Sequence, residues 1–361
     1  MTFPSAATPD PRRGTAPLRM ALSALSLLVA VGLVVCLPYF VDVGWSDIGA
    51  QFAALDPVVV AGLVVLWLAG LWAYTFVLTA SLPGLSRPQA MTLNAAGSAV
   101  SNLMPFGGAA GVALTFALAR SWGFRTNPIA VSTVTSGLWN VLARFLLPAL
   151  GLVALLGTGR VPDARVAVPA LVAALALIGL VAATVTALRW DRAARVTGRT
   201  ADRALRLLPH RIRPRRSLPS VSLARLRTTT AGLLRTAWPA MTAGMLAYLV
   251  LQAGLFCACL AATGAYVGLG EAVAAFALGR LLTTVVVTPG GFGISEAGTA
   301  AAMVSLGGPA GPVAAAVLLF STFTYILEIP LGALFWSLRG LVAQRPRVAG
   351  TRDNARPVRA G

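Results

Sequence analysis

The chain is organised by long apolar runs separated by short polar or glycine-rich breaks. Six runs are long enough, at the ~20 residues a bilayer requires, to cross a membrane as single helices. They are Leu18 to Phe40, Pro57 to Ala80, Pro128 to Leu156, Val166 to Leu188, Pro239 to Ala262 and Pro312 to Leu338. Several open on a proline, whose missing N–H costs least in a first helical turn. Two further segments, Gln89 to Ala119 and Glu271 to Leu306, are too long for one ordinary span and are interrupted midway by proline and glycine. The pattern predicts an all-α polytopic bundle of about six full spans and two interrupted segments.

Composition agrees. Hydrophobic residues make up 57% of the 361 positions and charged residues only 11%, against roughly 25% in a soluble domain. The mean hydropathy is +0.79. The formal net charge is +18, and every basic side chain is arginine. These arginines gather at Arg12, Arg13 and Arg19, between Arg189 and Arg235, and from Arg339 onward. Cytoplasmic segments flanking spans carry such an excess. Residues 1–17 and 339–361 are therefore expected as cytoplasmic tails, the latter disordered. Residues 18–338 are expected as the membrane domain, with 189–237 as a basic cytoplasmic loop. The run from Leu18 is too long for a signal-peptide core and reads as a retained span.

Charge also sets the topology of the interrupted segments. Arg87 precedes the first, and Arg120 and Arg125 follow it, so both its ends are expected inside. The second has no basic residue at either flank, so both its ends are expected outside. Each is thus expected to enter and leave on one side, as two oppositely oriented re-entrant hairpins. The loop at Arg160 and Arg165 then falls outside, one exception to the bias. The two breaks, SNLMPFGGAAG and VVVTPGGFGIS, align Pro105 with Pro289 and Gly107 with Gly291. An inverted repeat, with broken helices meeting at a substrate site, is one explanation. Chance in a Gly- and Ala-rich chain is the other.

Few residues carry candidate chemistry. Glu296 is an intramembrane acid, a residue type that faces a cavity or a partner. Near the start of a half-helix it either caps that helix or, with the N–H groups around Gly290, Gly291, Gly293 and Ser295, meets a polar headgroup. No Walker loop follows. Arg144, Arg280 and Glu328 are the other charges within apolar runs, with Asn140 one turn before Arg144. Either an Arg–Glu pair or a guanidinium gripping a lipid phosphate accounts for them. Asn94 and Asn102 read as interhelical hydrogen-bond donors. Trp67, Trp72, Trp139 and Trp336 read as interface or packing residues. Arg192, Arg195, Arg199, Arg203 and Arg206 form one stripe on a helix, either an amphipathic element on anionic lipid or a topology anchor. Cys36, Cys257 and Cys259 lie in apolar runs. The last two point about 200° apart on a helix and cannot share a metal. His210 sits in the basic loop. No metal and no cofactor is expected.

PGGFGISEAG, late in the chain after an apolar limb, resembles the motif of the lysylphosphatidylglycerol synthase transmembrane family, the flippase-like membrane region of the multiple peptide resistance factor. NLMPFGGAAG, followed by an apolar helix and Arg120-Ser-Trp-Gly, is similar to that family's other re-entrant element. The resemblance spans about Leu18 to Arg339. It implies a multi-pass protein of the cell membrane that moves phospholipids or lipid-linked molecules between leaflets. Pro289, Gly290, Gly291, Gly293 and Glu296 would form the late motif, and Pro105 and Gly107 the early one. Ala109 and Ala110 stand where the first motif often carries a charge, which bears on the headgroup accepted. The tail RPRVAGTRDNARPVRAG is not the soluble aminoacyl-transfer domain of the full synthase, so lysyl transfer is not expected of this sequence. The expected partners are membrane lipids, with an anionic phospholipid, polyprenyl or glycolipid headgroup, and not nucleic acid. A second copy or an envelope enzyme is a further possible partner. The alternative activity is a membrane glycosyl- or acyl-transferase acting on lipid-linked precursors, or its partner, using Asp42 and Asp47. Without an ATP site, movement is expected to be downhill, ion-coupled or partner-driven.

Overall fold

The structure is a computed structural model and describes residues 44–104, 107–157, 220–283 and 291–342, with isolated positions elsewhere. The described residues are all helical in architecture. A short helix α1 (Trp45–Ala53) precedes the long α2 (Pro57–Ser81). Then come α3 (Arg87–Leu103), α4 (Gly107–Ser121) and α5 (Thr126–Gly157). After a segment outside the described residues follow α6 (Ser220–Ala262), α7 (Leu269–Leu282), α8 (Ile294–Ser305) and α9 (Ala310–Ser321). A π-helical turn (Thr322–Ile326) joins α9 to α10 (Glu328–Ser337). Apart from isolated helical positions, the expected spans Leu18 to Phe40 and Val166 to Leu188 lie outside the described residues, as does the whole arginine stripe Arg192 to Arg206.

Four helical stretches are long and apolar enough to cross a bilayer: Pro57–Ser81, Thr126–Gly157, Thr236–Ala262 and Ala310–Gly340. They correspond to four of the six expected spans. α6 differs at its start. Pro239 was expected in a first turn, yet the helix begins at Ser220 and runs through it. A proline ring removes one backbone bond and bends a helix without ending it when both flanks are helix-forming, as the Ala- and Leu-rich sequence here is.

Local sequence explains the starts. Asp56 Oδ1 accepts from Val58 N at 2.7 Å, capping α2 with Pro57 at its first position. Ser86 and Gln89 form a reciprocal capping box on α3. α1 lies in the loop expected outside. Its Gly44 N–H donates to Asp47 at 3.2 Å, and Ile48 is buried.

The interrupted segments fold back on themselves. In the first, Ser101 meets Gly107 and Gly97 meets Gly111, so α3 and α4 run antiparallel. In the second, Thr283 meets Gly291 and Gly279 meets Thr299, so α7 and α8 do the same. These limbs hold 17, 15, 14 and 12 residues. At 1.5 Å per residue they measure roughly 18–26 Å, short of a ~30 Å hydrocarbon core.

Their orientation follows from α2 and α6. Gly70 touches Leu251, and Gly244 touches Phe76 and Val77, which makes these two helices antiparallel. The end of α2, where the first hairpin begins, lies at the opposite end of the pair from the end of α6, where the second begins. Small residues allow the remaining close approaches, Gly151 on Ala274 between α5 and α7, and Gly332 on Ala95 between α10 and α3. Apolar packing centres on α2, α6, α7 and α9, around Phe256, Phe276 and Phe320.

Candidate functional site: a polar cavity between the hairpin tips

Where the hairpin tips meet α2, α5, α6 and the last helix lies a cavity of about 660 Å³. It is within the ~300–1,000 Å³ typical of ligand sites. Its wall is unexpectedly polar for a bundle of apolar helices, with Asn94, Asn102, Asn140, Arg144, Gln252, Arg280 and Glu328 all contributing.

Helical spacing brings these groups together. Ser132, Ser136, Asn140 and Arg144 recur every fourth residue and form one polar row on α5 facing the cavity. Asn140 Nδ2 donates to Tyr74 Oη at 2.6 Å and to the carbonyl of Ser136 at 2.9 Å. On α6, Tyr248 and Gln252 are likewise four apart, and Gln252 Nε2 donates to Tyr248 Oη at 3.3 Å. Arg280 on α7 donates through Nη2 to the same oxygen at 3.5 Å. The antiparallel offset that sets Gly151 against Ala274 sets Arg144 level with Arg280, and the two guanidiniums repel each other.

The π turn supplies the other wall. Pro330 has no N–H to offer the carbonyl of Ile326, and the helix widens just before it, with Leu327 N bonding back to Thr322 O. The widened turn frees carbonyls. Asn102 Nδ2 donates to those of Thr324 and Tyr325, each at 3.3 Å, and reaches Glu328 Oε2 at 3.4 Å. Ser98 is a second donor to Glu328. The carboxylate of Glu328 is thus hydrogen-bonded from α3, with Arg280 near enough to attract it. The first hairpin is thereby tied to the last helix at its tip.

Gly107 and Gly291 occupy matching places. A Cβ on Gly107 would overlap the backbone of Ser101 at the end of the first limb. One on Gly291 would come within 2.7 Å of Thr283 Cα, and Gly291 has φ +80°. Only glycine lets each returning limb lie this close to the limb it left. Both glycines line the cavity.

Gly291, Gly107, Asn102, Arg144, Arg280 and Glu328 therefore converge as expected site residues. Glu296, Ser295 and Gly293 lie aside, at the start of α8. Glu296 is 2% exposed, and both its oxygens have partners. Oε2 accepts from Gly293 N–H and from Ser295 Oγ at 2.9 Å, and Oε1 from Ser321 Oγ at 2.6 Å. It caps α8 and ties it to α9. Pro105, Pro289 and Gly290 lie outside the described residues. Asn94 donates to Leu71 O at 3.4 Å across to α2, the interhelical bond anticipated for it. Asp47, offered for transferase chemistry, is occupied as a cap on α1, and Asp42 lies outside the described residues. Tyr74, Tyr248, Gln252 and the serine row of α5 are the cavity groups that sequence reasoning passed over. Their four-residue recurrence within apolar helices was the available signal.

Fold and site together define a polytopic integral membrane protein with a half-open polar cavity among its helices. Residues 23–332 match the family described as the lysylphosphatidylglycerol synthase TM region, and the chain belongs to that family. No curated protein matches the chain.

Proposed function

We propose that this protein admits the phosphate-bearing headgroup of a membrane lipid into the cavity and passes it between leaflets, while the acyl or prenyl chains stay in the bilayer. The observation that carries this reading is the pair Arg144 and Arg280, both on the cavity wall and near enough to repel each other, with the carboxylate Glu328 hydrogen-bonded by Asn102 and Ser98. Guanidinium forks match phosphate oxygens bidentately, and they do so most strongly away from water. The opposed hairpins support an alternating path. With Arg87, Arg120 and Arg125 at the cytoplasmic side, the first hairpin enters from inside and the second from outside, and both termini are cytoplasmic. Each tip then forms one end of the headgroup's route. Family membership supports the same cargo class.

Reconstitution tests it. In liposomes carrying fluorescent phosphatidylglycerol, the protein is expected to expose inner-leaflet label to an external quencher faster than empty vesicles do. Arg144→Gln and Arg280→Gln are each expected to slow this at least about tenfold, the size of one lost charge-assisted contact. Equal rates with and without protein, for phospholipid and polyprenyl-linked probes alike, would sink the proposal.

A further inference from the structure

The last helix is shared between two bodies. Its first half, α9, packs against α6, α8 and α1, whereas its second half, α10, packs against α3. Hydrogen bonds divide the same way. Ser321, at the end of α9, donates to Glu296 on α8, while Glu328, at the start of α10, accepts from Asn102 and Ser98 on α3. Between them lies the π turn Thr322–Ile326. α3 packs more closely on α4 and α10 than on α2, and α4 makes little contact with α5. The first hairpin and α10 thus form one body. The second hairpin belongs to the other, with α7 packed on α5 and α8 on α9. Apolar packing respects this division at the base of the first hairpin. There Leu93, Ala96, Leu118, Trp122 and Phe124 belong to a cluster separate from the main core.

Three connections join the bodies. The chain passes from α2 to α3 through Gly84 and from α4 to α5 through Gly123, each at φ +91°. The third connection is the π turn, which lacks the regular backbone ladder that stiffens an α-helix and is a recognised place for a helix to bend. The cavity lies on the seam. Asn102, Gly107 and Glu328 come from one body, and Arg144, Tyr248 and Arg280 from the other. Across the same seam Asn94 reaches the Leu71 carbonyl at 3.4 Å, a long bond.

We propose that the first hairpin and α10 swing as one body about the π turn and the Gly84 and Gly123 turns, opening and closing the cavity against a fixed second hairpin. Hinge closure of this kind needs only a few residues to absorb the motion. Asn102 is the latch, because its bonds to the Thr324 and Tyr325 carbonyls hold the moving body to the turn. The swing goes beyond the cargo reading and gives it a release step. Glu328 travels with the moving body, and Arg280 stays with the fixed one. Closing sets the carboxylate against a bound anion for the guanidinium, and opening withdraws it.

The test uses the full chain in phosphatidylcholine nanodiscs, with Cys36, Cys257 and Cys259 replaced and spin labels on introduced cysteines. Leu103→Cys, exposed at the end of α3, with Val153→Cys, exposed on α5, reports one body against the other. Ala301→Cys, exposed on α8, with Val153→Cys reports the second hairpin against α5. Spin–spin distance measurements are expected to give two separations for the first pair and one for the second. Pro330→Ala, which regularises the turn, is expected to abolish one of the two. Asn102→Ala, which frees the latch, is expected to broaden both. Neither variant is expected to alter the second pair, which also reports an intact fold. A single separation in the first pair, unmoved by either variant, would overturn the hinge. Two separations in both pairs would overturn the fixed second hairpin. If liposomes show no lipid movement while the first pair behaves as expected, the transport reading falls and the hinge stands.

Discussion

Glu296 is buried with both carboxylate oxygens taken by protein donors, whereas Arg280 is buried with one guanidinium nitrogen left over. The two charges look alike in the sequence, each isolated in an apolar run, yet the contacts give them different work. Removing the Glu296 carboxylate strands the Gly293 N–H and the Ser321 hydroxyl, while Ser295 keeps the carbonyl of Gly291. Glu296→Ala is therefore expected to lower stability by about 1–3 kcal/mol, read from tryptophan-fluorescence unfolding in detergent. Lipid binding by the molecules that remain folded is expected to be unchanged. A variant that keeps its stability but loses lipid binding would instead place Glu296 against the ligand. Arg280→Gln should behave the opposite way, with a near-native unfolding midpoint and weakened binding.

At the level of elements, the two glycine-tipped hairpins and the π turn set the cavity's shape. Gly291 adopts φ +80° and lies against the end of α7. Gly291→Ala is expected to cost about 1–3 kcal/mol, from backbone strain and overlap together, in the same unfolding measurement. The π turn makes a different prediction. Pro330→Ala restores an N–H that can bond the carbonyl of Ile326 and lets the helix regularise, which is expected to raise the unfolding midpoint. Regularising would draw the Thr324 and Tyr325 carbonyls away from Asn102 and shift Glu328 along the cavity wall. Headgroup binding is then expected to weaken about tenfold, equivalent to about 1.4 kcal/mol. A variant that is more stable and binds equally well would show that the widened turn does not shape the site.

For the whole molecule, the opposed hairpins make a prediction about sidedness. In a background with Cys36, Cys257 and Cys259 replaced, Arg125→Cys is expected to react with an impermeant thiol reagent only from the cytoplasmic side. Tyr266→Cys, at an exposed position before α7, should react only from outside. Labelling of both from one side would rule out hairpins entering from opposite faces.

The broad architecture was legible in the sequence because bilayer crossing depends on run length and hydropathy, both local quantities. Four described spans lie where the apolar runs placed them, and the described limbs flanking each proline–glycine break pack antiparallel. The start of α6 was misplaced because Pro239 was taken as a beginning. Its flanks hold the helix through the lost bond, which the proline alone does not reveal. The site was legible only in part. Arg144, Arg280 and Glu328 stood out as charges in apolar runs, but hydropathy is blind to the partner each one finds. Tyr248 and Gln252 drew no notice, since a tyrosine and an amide are unremarkable in a span until an arginine from another helix lies beside them.

By itself, then, the sequence determined that this is a multi-span helical protein broken at two glycine-rich points. Backbone groups in hydrocarbon must be satisfied internally, which favours helices, and proline and glycine mark where such a helix breaks. Tertiary structure decided which charges are spent and which remain available. That depends on contacts between helices distant in the chain: Ser321 to Glu296, Asn102 to Glu328 and the Pro330 turn, and Arg144 level with Arg280. The motif around Glu296 marks a capped helix start, and the guanidinium nitrogen still unpaired, on Arg280, lies on α7 at the cavity wall.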